Sequence, residues 1–260
     1  MTTHTLPVPG ARLHYTVTGE GPALLLIPGG PADSTAFAAI RPVLAERYTV
    51  VTYDPRGISD SSLDGAPPED GVIREHADDV QRLLAVVGPS HVFATSGGAI
   101  TALDHVVRHA EQIRTLVLHE PPITRYLDQQ VLDGPDVPKI FREQGVEAAV
   151  RAFAAMAGFE APPEQVTLPQ RMLDNFAYFF GHLMQAIGQF APDVDALKTV
   201  PARLVVGVGE KTPGAPAHEA ALGLAADLGT PAEFFPGDHG GYATEPVAFA
   251  ARLTELLEGR

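Results

Sequence analysis

Short runs of apolar residues alternate along this chain with stretches whose apolar positions recur every three or four residues. The runs lie at residues 23–27 (Ala-Leu-Leu-Leu-Ile), 48–53, 92–95, 115–119 and 202–209, with a shorter one at 232–235. Uninterrupted apolar runs of this length suit strands buried on both faces. Helical spacing marks residues 35–47, 72–87, 215–228 and 246–257, and a helix starting just past Ser96, where Ala99, Leu103, Val106 and Ala110 form a stripe widened by Ile100 and Val107. Residues 8–18 alternate and predict a hairpin, 19–22 a turn, and 63–71 a loop rich in proline, glycine and aspartate. Strand followed by helix, repeated, predicts an α/β fold: a mostly parallel central sheet flanked by helices. In such sheets the working groups collect at the carboxyl ends of the strands.

From 124 to 198 the strand signals vanish, and apolar residues stand at helical spacing between prolines and glycines. This predicts a helical lid inserted into a core made of residues 1–123 and 199–260. Phe141, Phe153, Met156, Phe159, Met172, Phe176, Tyr178, Phe179, Phe180, Met184 and Phe190 concentrate aromatic and methionine side chains there. Most of them serve as the lid's own core. A lid this apolar implies a hydrophobic substrate beneath it, and Met156, Tyr178 and Phe179, with Pro31 from the core, are assigned to contact it. His182 reads as an interior or surface histidine.

Candidate chemistry starts at Ala94-Thr95-Ser96-Gly97-Gly98, where an apolar strand runs into a serine and then a helix. A turn this sharp forces the serine into a strained backbone conformation, and small neighbours relieve the crowding. The hydroxyl then stands over a helix N-terminus whose free N–H groups can hold an oxyanion. The competing reading is a plain strand-to-helix turn. Pro28-Gly29-Gly30-Pro31 ends the 23–27 strand and reads either as a second oxyanion donor, through the Gly30 N–H, or as a turn. His239 lies in the glycine-rich loop 236–241, directly after the last strand. A serine nucleophile needs a base, and the base needs an acid to fix its tautomer. Two carboxylates compete for that last role. Glu120 follows the 115–119 strand and is stiffened by Pro121-Pro122; Glu210 follows the next strand, with Lys211-Thr212-Pro213 after it. Rigidity and position favour Glu120. Asp54 and Arg56 read as structural locks of their loop.

Taken in order, the Pro28-Gly29-Gly30 loop, the Asp54-Pro55-Arg56-Gly57 turn, the serine elbow and the His239 loop resemble the α/β-hydrolase superfamily along essentially the whole chain. His119-Glu120-Pro121-Pro122 ahead of a helical lid is similar, more narrowly, to zearalenone lactonases and related small esterases. The resemblance implies Ser96 as nucleophile, His239 as base, Glu120 as acid and N–H donors from Gly30 and Gly97. The sequence has no tryptophan, so a lid tryptophan of such lactonases has no counterpart.

Composition narrows the field. With 45% hydrophobic and 19% charged residues the chain reads as globular, and a formal net charge of −14 argues against nucleic acid and anionic membranes as partners. There is no cysteine, which removes disulfides and thiol nucleophiles. Residues 1–7 lack the basic and apolar parts of a signal peptide, and no stretch approaches the ~20 apolar residues of a membrane span, so a cytoplasmic location is expected. The expected function is hydrolysis of a hydrophobic ester or lactone, with no metal or cofactor; the oligomeric state is left open. The rivals are a cofactor-free oxygenase or perhydrolase on the same fold, and a catalytically silent small-molecule binder.

Overall fold

The computed structural model describes residues 1–68, 70–157 and 168–259. Its strands are β1 Thr2–Val8, β2 Ala11–Thr18, β3 Ala23–Ile27, β4 Thr49–Tyr53, β5 Ser62–Leu63, β6 Ser90–Thr95, β7 Ile113–His119, β8 Arg203–Gly209 and β9 Ala232–Phe235. They form one sheet in the order β1-β2-β4-β3-β6-β7-β8-β9, with β5 paired to β2. The pairs from β4 through β9 are parallel, while β1–β2 and β2–β4 are antiparallel.

The alternation of side chains along a strand divides the apolar runs between two cores. Leu25, Ile27, Val92, Ala94, Leu116, Leu118 and Val206 face one side, against Leu83, Leu84, Ala99, Leu103 and Leu224. These partners come from the helices Val72–Val87, Gly97–Arg108 and Pro216–Leu228. Leu24, Leu26, Phe93, Val117, Val205 and Phe235 face the other, against Phe37, Ile40, Leu44 and the Phe249, Leu253 and Leu256 row of the helix Pro246–Leu257. Burial on both faces explains why these strands read as continuous apolar runs.

Between β7 and β8 every described element is helical, the longer ones being Val137–Gln144, Val146–Ala157 and Gln170–Tyr178. A single π turn over Phe179–Leu183 continues the last of these into the helix Met184–Gln189. Phe153, Phe176, Phe179 and Phe180 pack ring against ring in this layer. Phe159 lies outside the described residues. No described helix is long and apolar enough to cross a membrane.

Three expectations need correction. The hairpin begins at Thr2, because β1 pairs with β2 along its whole length. Most of β1 is exposed at the sheet edge, so no apolar alternation betrays it. The helix expected over 35–47 is two pieces, Ser34–Phe37 and Arg41–Leu44. Asp33 caps the first through Thr35 N–H, and Pro42, lacking an N–H, sits in the opening turn of the second. Strand β5, two residues long, arises only through pairing with Ala11 and Arg12.

The loop after β4 is locked as expected, though Asp54 and Arg56 have separate partners. Asp54 accepts the Ser34 and Asp60 N–H groups at 2.9 and 3.1 Å. Arg56 forms a two-pronged pair with Asp79, both bonds 2.7 Å, and also pairs with Glu75.

Candidate active site

Ser96 sits at φ 52°, ψ −128° between β6 and the helix Gly97–Arg108. The glycines that follow it let the backbone pass close to β3. A Cβ at Gly98 would lie 2.3 Å from the Pro28 carbonyl oxygen and 2.8 Å from that of Ile27. Those atoms belong to the end of β3 and cannot yield without moving the strand. Gly98→Ala is therefore expected to cost about 1–3 kcal/mol through overpacking and to displace the glycine loop. Urea unfolding beside wild type measures this; an unchanged midpoint would contradict it.

The same close approach sets Gly30 beside Gly97: a Cβ at Gly97 would stand 3.1 Å from the Gly30 nitrogen. Ser96, Gly30, Gly97 and His239 all border one cavity of about 270 Å³. Its remaining walls are largely apolar and include Leu127, Phe153, Met156, Phe179, Met184 and Ile187 from the segment between β7 and β8, and Pro122, Pro216 and Ala217 from the core side.

Glu120 is fully buried at the end of β7, with φ +48°. Among the described residues only three non-glycine residues have positive φ, and Ser96 and Glu120 are two of them. Backbone strain of this kind persists where the surrounding structure enforces it. One carboxylate oxygen of Glu120 bonds His239 Nδ1 at 2.5 Å. The other accepts the Gly209 N–H at 2.8 Å and the Thr212 hydroxyl. Burial pushes this carboxyl up, but the hydrogen bonds from His239 and Thr212 outweigh it and hold it down at about 2. Glu120 is therefore an anion at neutral pH. His119, just before it in the chain, is buried with its ring against Phe235 and Phe249; burial lowers its pKa to about 3, and it stays neutral.

Of the candidate residues, the structure brings together Ser96, His239, Glu120, Gly30, Gly97, Met156 and Phe179. Glu210 is exposed, and its backbone N–H is bonded to Phe235 O. Tyr178 and Pro31 do not border the cavity. One helical residue turns the side chain by about 100°, so while Phe179 faces the cavity, Tyr178 lies across Gly57, where a Cβ would meet its ring at 2.3 Å. Its phenol is buried, which pushes the pKa up to about 12. Pro31 falls within the turn closed by the Ala32 N–H and Gly29 O, which presents Gly30 to the cavity instead. His182 is exposed. Thr212 and Gly209 were not foreseen. Their signal was the segment after β8, where an acid is sought and a threonine stands.

A polar network fastens the helical layer over the site. Ser59 donates its hydroxyl to Asp33 at 2.6 Å, and accepts from Asn175 at 2.8 Å and from Arg171 at 2.9 Å. Nearby, His14, Asp54 and Asp60 offer ligand atoms within 4.8 Å of one another. The Arg171 guanidinium already supplies positive charge there, 3.0 Å from Asp60 and 3.6 Å from Asp54.

The chain matches the model of the alpha/beta hydrolase family over residues 24–252. It belongs to the alpha/beta hydrolase family. The uncharacterized hydrolase YraK of Bacillus subtilis is 36% identical over 267 residues, covering 98% of this chain and 95% of YraK. The zearalenone hydrolase of Cladophialophora bantiana is 26% identical, over 95% of this chain and 92% of its own. Among solved structures, the N-acyl homoserine lactonase AidH superposes with a TM-score of 0.75 at 18% identity, covering 99% of this chain and 97% of AidH, and so shares the fold. This alpha/beta hydrolase is accordingly a hydrolytic enzyme, its sheet carrying Ser96, Glu120 and His239 at the carboxyl ends of β6, β7 and β9.

Proposed function

We propose that this hydrolase cleaves a carboxylic ester or lactone of a hydrophobic substrate through an acyl-enzyme on Ser96. The observation that carries this reading is the shared cavity: Ser96 and His239 border one apolar pocket, and His239 is held from behind by ionised Glu120. Ser96 attacks the carbonyl carbon while His239 takes the hydroxyl proton. The negative charge that develops on the carbonyl oxygen falls to the Gly30 and Gly97 N–H groups, donors of a kind worth roughly 3–4 kcal/mol each. His239 returns the proton to the leaving alkoxide, then removes one from a water that hydrolyses the acyl-enzyme. Glu120 keeps the proton of neutral His239 on Nδ1, so that Nε2 acts as the base, and stabilises the imidazolium.

The wall composition supports an apolar acyl or ring-bearing group. Among the described residues, the bordering side chains are aliphatic, aromatic or thioether almost throughout, with no aspartate, glutamate, lysine or arginine. The segment 124–198 acts in this reading as a cap on a core of 1–123 and 199–260.

Intact mass after treatment with a fluorophosphonate tests the reading. A single adduct is expected on wild type and none on Ser96→Ala. An untouched wild type would remove the activated serine and move the cofactor-free oxygenase and small-molecule-binding readings ahead. An adduct opens a screen of p-nitrophenyl esters and lactones of graded size.

A further inference from the structure

Glu120 has two oxygens, and the serine-hydrolase reading uses one. We infer that Thr212 and His218 form a positioning relay that grips the other, fixing the plane of the carboxylate so that it meets His239 squarely. The inference rests on the proposed function.

The relay follows from counting protons. Thr212 Oγ1 lies against Glu120 Oε1, 3.0 Å from Gly209 O and 2.9 Å from His218 Nδ1. A hydroxyl has one proton to give. A carboxylate is a stronger acceptor than a neutral carbonyl, so the proton goes to Glu120. The lone pairs of Oγ1 then face His218 Nδ1, which must carry a proton to bond there. His218 is 3% exposed, in the first turn of the helix Pro216–Leu228, and its Nδ1 is 3.6 Å from Glu120 Oε1. Two donors therefore line up behind the acid, His218 to Thr212 and Thr212 to Glu120, beside the Gly209 N–H.

The carboxylate needs this grip because of where it hangs. Glu120 ends its strand, its backbone N–H bonded to Gly207 O, and its side chain reaches across β8 to His239. Bonded at Oε2 alone, the group could rotate about its last torsion, which is broad. Bonds to Oε1 from Thr212 and Gly209 remove that freedom. The titratable groups facing the acid are His119 from β7, His218 and His239. Neither Thr212 nor His218 borders the cavity, so neither touches substrate there.

Two measurements test the relay. In the wild type, the ring-nitrogen chemical shifts of His218 are expected to report the Nδ1–H tautomer; the Nε2–H tautomer would overturn the relay whatever the activity. With an ester found by the screen above, Thr212→Val is expected to lower kcat roughly 10- to 100-fold, the scale of a misplaced catalytic group, with KM unchanged. Thr212→Ser, which keeps the hydroxyl, is expected to restore most of the rate. Wild-type kcat in Thr212→Val, or a serine variant as slow as the valine one, would overturn the relay. Fluorophosphonate labelling of wild-type Ser96 in the same samples keeps that failure separate from failure of the hydrolase reading. Should the valine variant not fold, the wild-type tautomer decides.

Discussion

Replacing Glu120 with glutamine is expected to lower kcat on the order of 10,000-fold while the protein still folds. The two side chains are nearly the same size, and the amide oxygen can still accept from the Gly209 N–H and Thr212. The amide nitrogen must then face His239 Nδ1, now as a donor. His239 is forced to accept at Nδ1 and to carry its proton on Nε2, the nitrogen that has to take the proton of Ser96. Catalysis fails through the tautomer. Steady-state kinetics on an ester substrate, with circular dichroism as the folding control, measures the effect. Glu210→Gln is expected to match wild type, since Glu210 is exposed. Near-normal turnover in Glu120→Gln with loss in Glu210→Gln would reverse the assignment.

Arg56→Met is expected to destabilise the fold by about 3–5 kcal/mol, the cost of stranding a buried charge. Asp79 is 1% exposed, and both its oxygens face Arg56. Burial already raises the Asp79 carboxyl pKa, against the opposing pull of the guanidinium. Without Arg56 it rises further. The folded state then holds a proton that the unfolded chain releases, so the deficit relative to wild type is full above the raised folded pKa. It shrinks as pH falls through that value and levels off below the folded wild-type pKa of Asp79, itself raised above the ordinary carboxylate value. Urea unfolding of both proteins across pH measures it. A deficit below about 1 kcal/mol, or one that ignores pH, would show that the pair contributes little.

Where a segment's fate was decided by its own residues, it was legible. Ala23–Ile27 and Val72–Val87 begin and end where their apolar patterns do. Burial on two faces leaves a run and burial on one leaves a stripe; either is written into a single stretch of chain. Ser96 was readable for the same reason, because a strand, a small-residue turn and a helix are consecutive in sequence. Edge strand β1 and the two-residue β5 were not, since their existence depends on a partner strand rather than on apolar content.

The sequence by itself determined the α/β alternation, the helical stretch before β8, the serine elbow and the histidine loop, each a local pattern with a local cause. Tertiary structure decided what depends on direction across space. It aimed the Glu120 carboxylate at His239 and left that of Glu210 in solvent. It turned Phe179 toward the cavity and Tyr178 onto Gly57, a difference of one residue along a helix. It also set Thr212 and His218, 92 and 98 residues beyond Glu120, against the far oxygen of the acid. Residues so distant along the chain meet only because parallel strands place their carboxyl ends side by side, and composition or spacing within one stretch carries no record of that meeting.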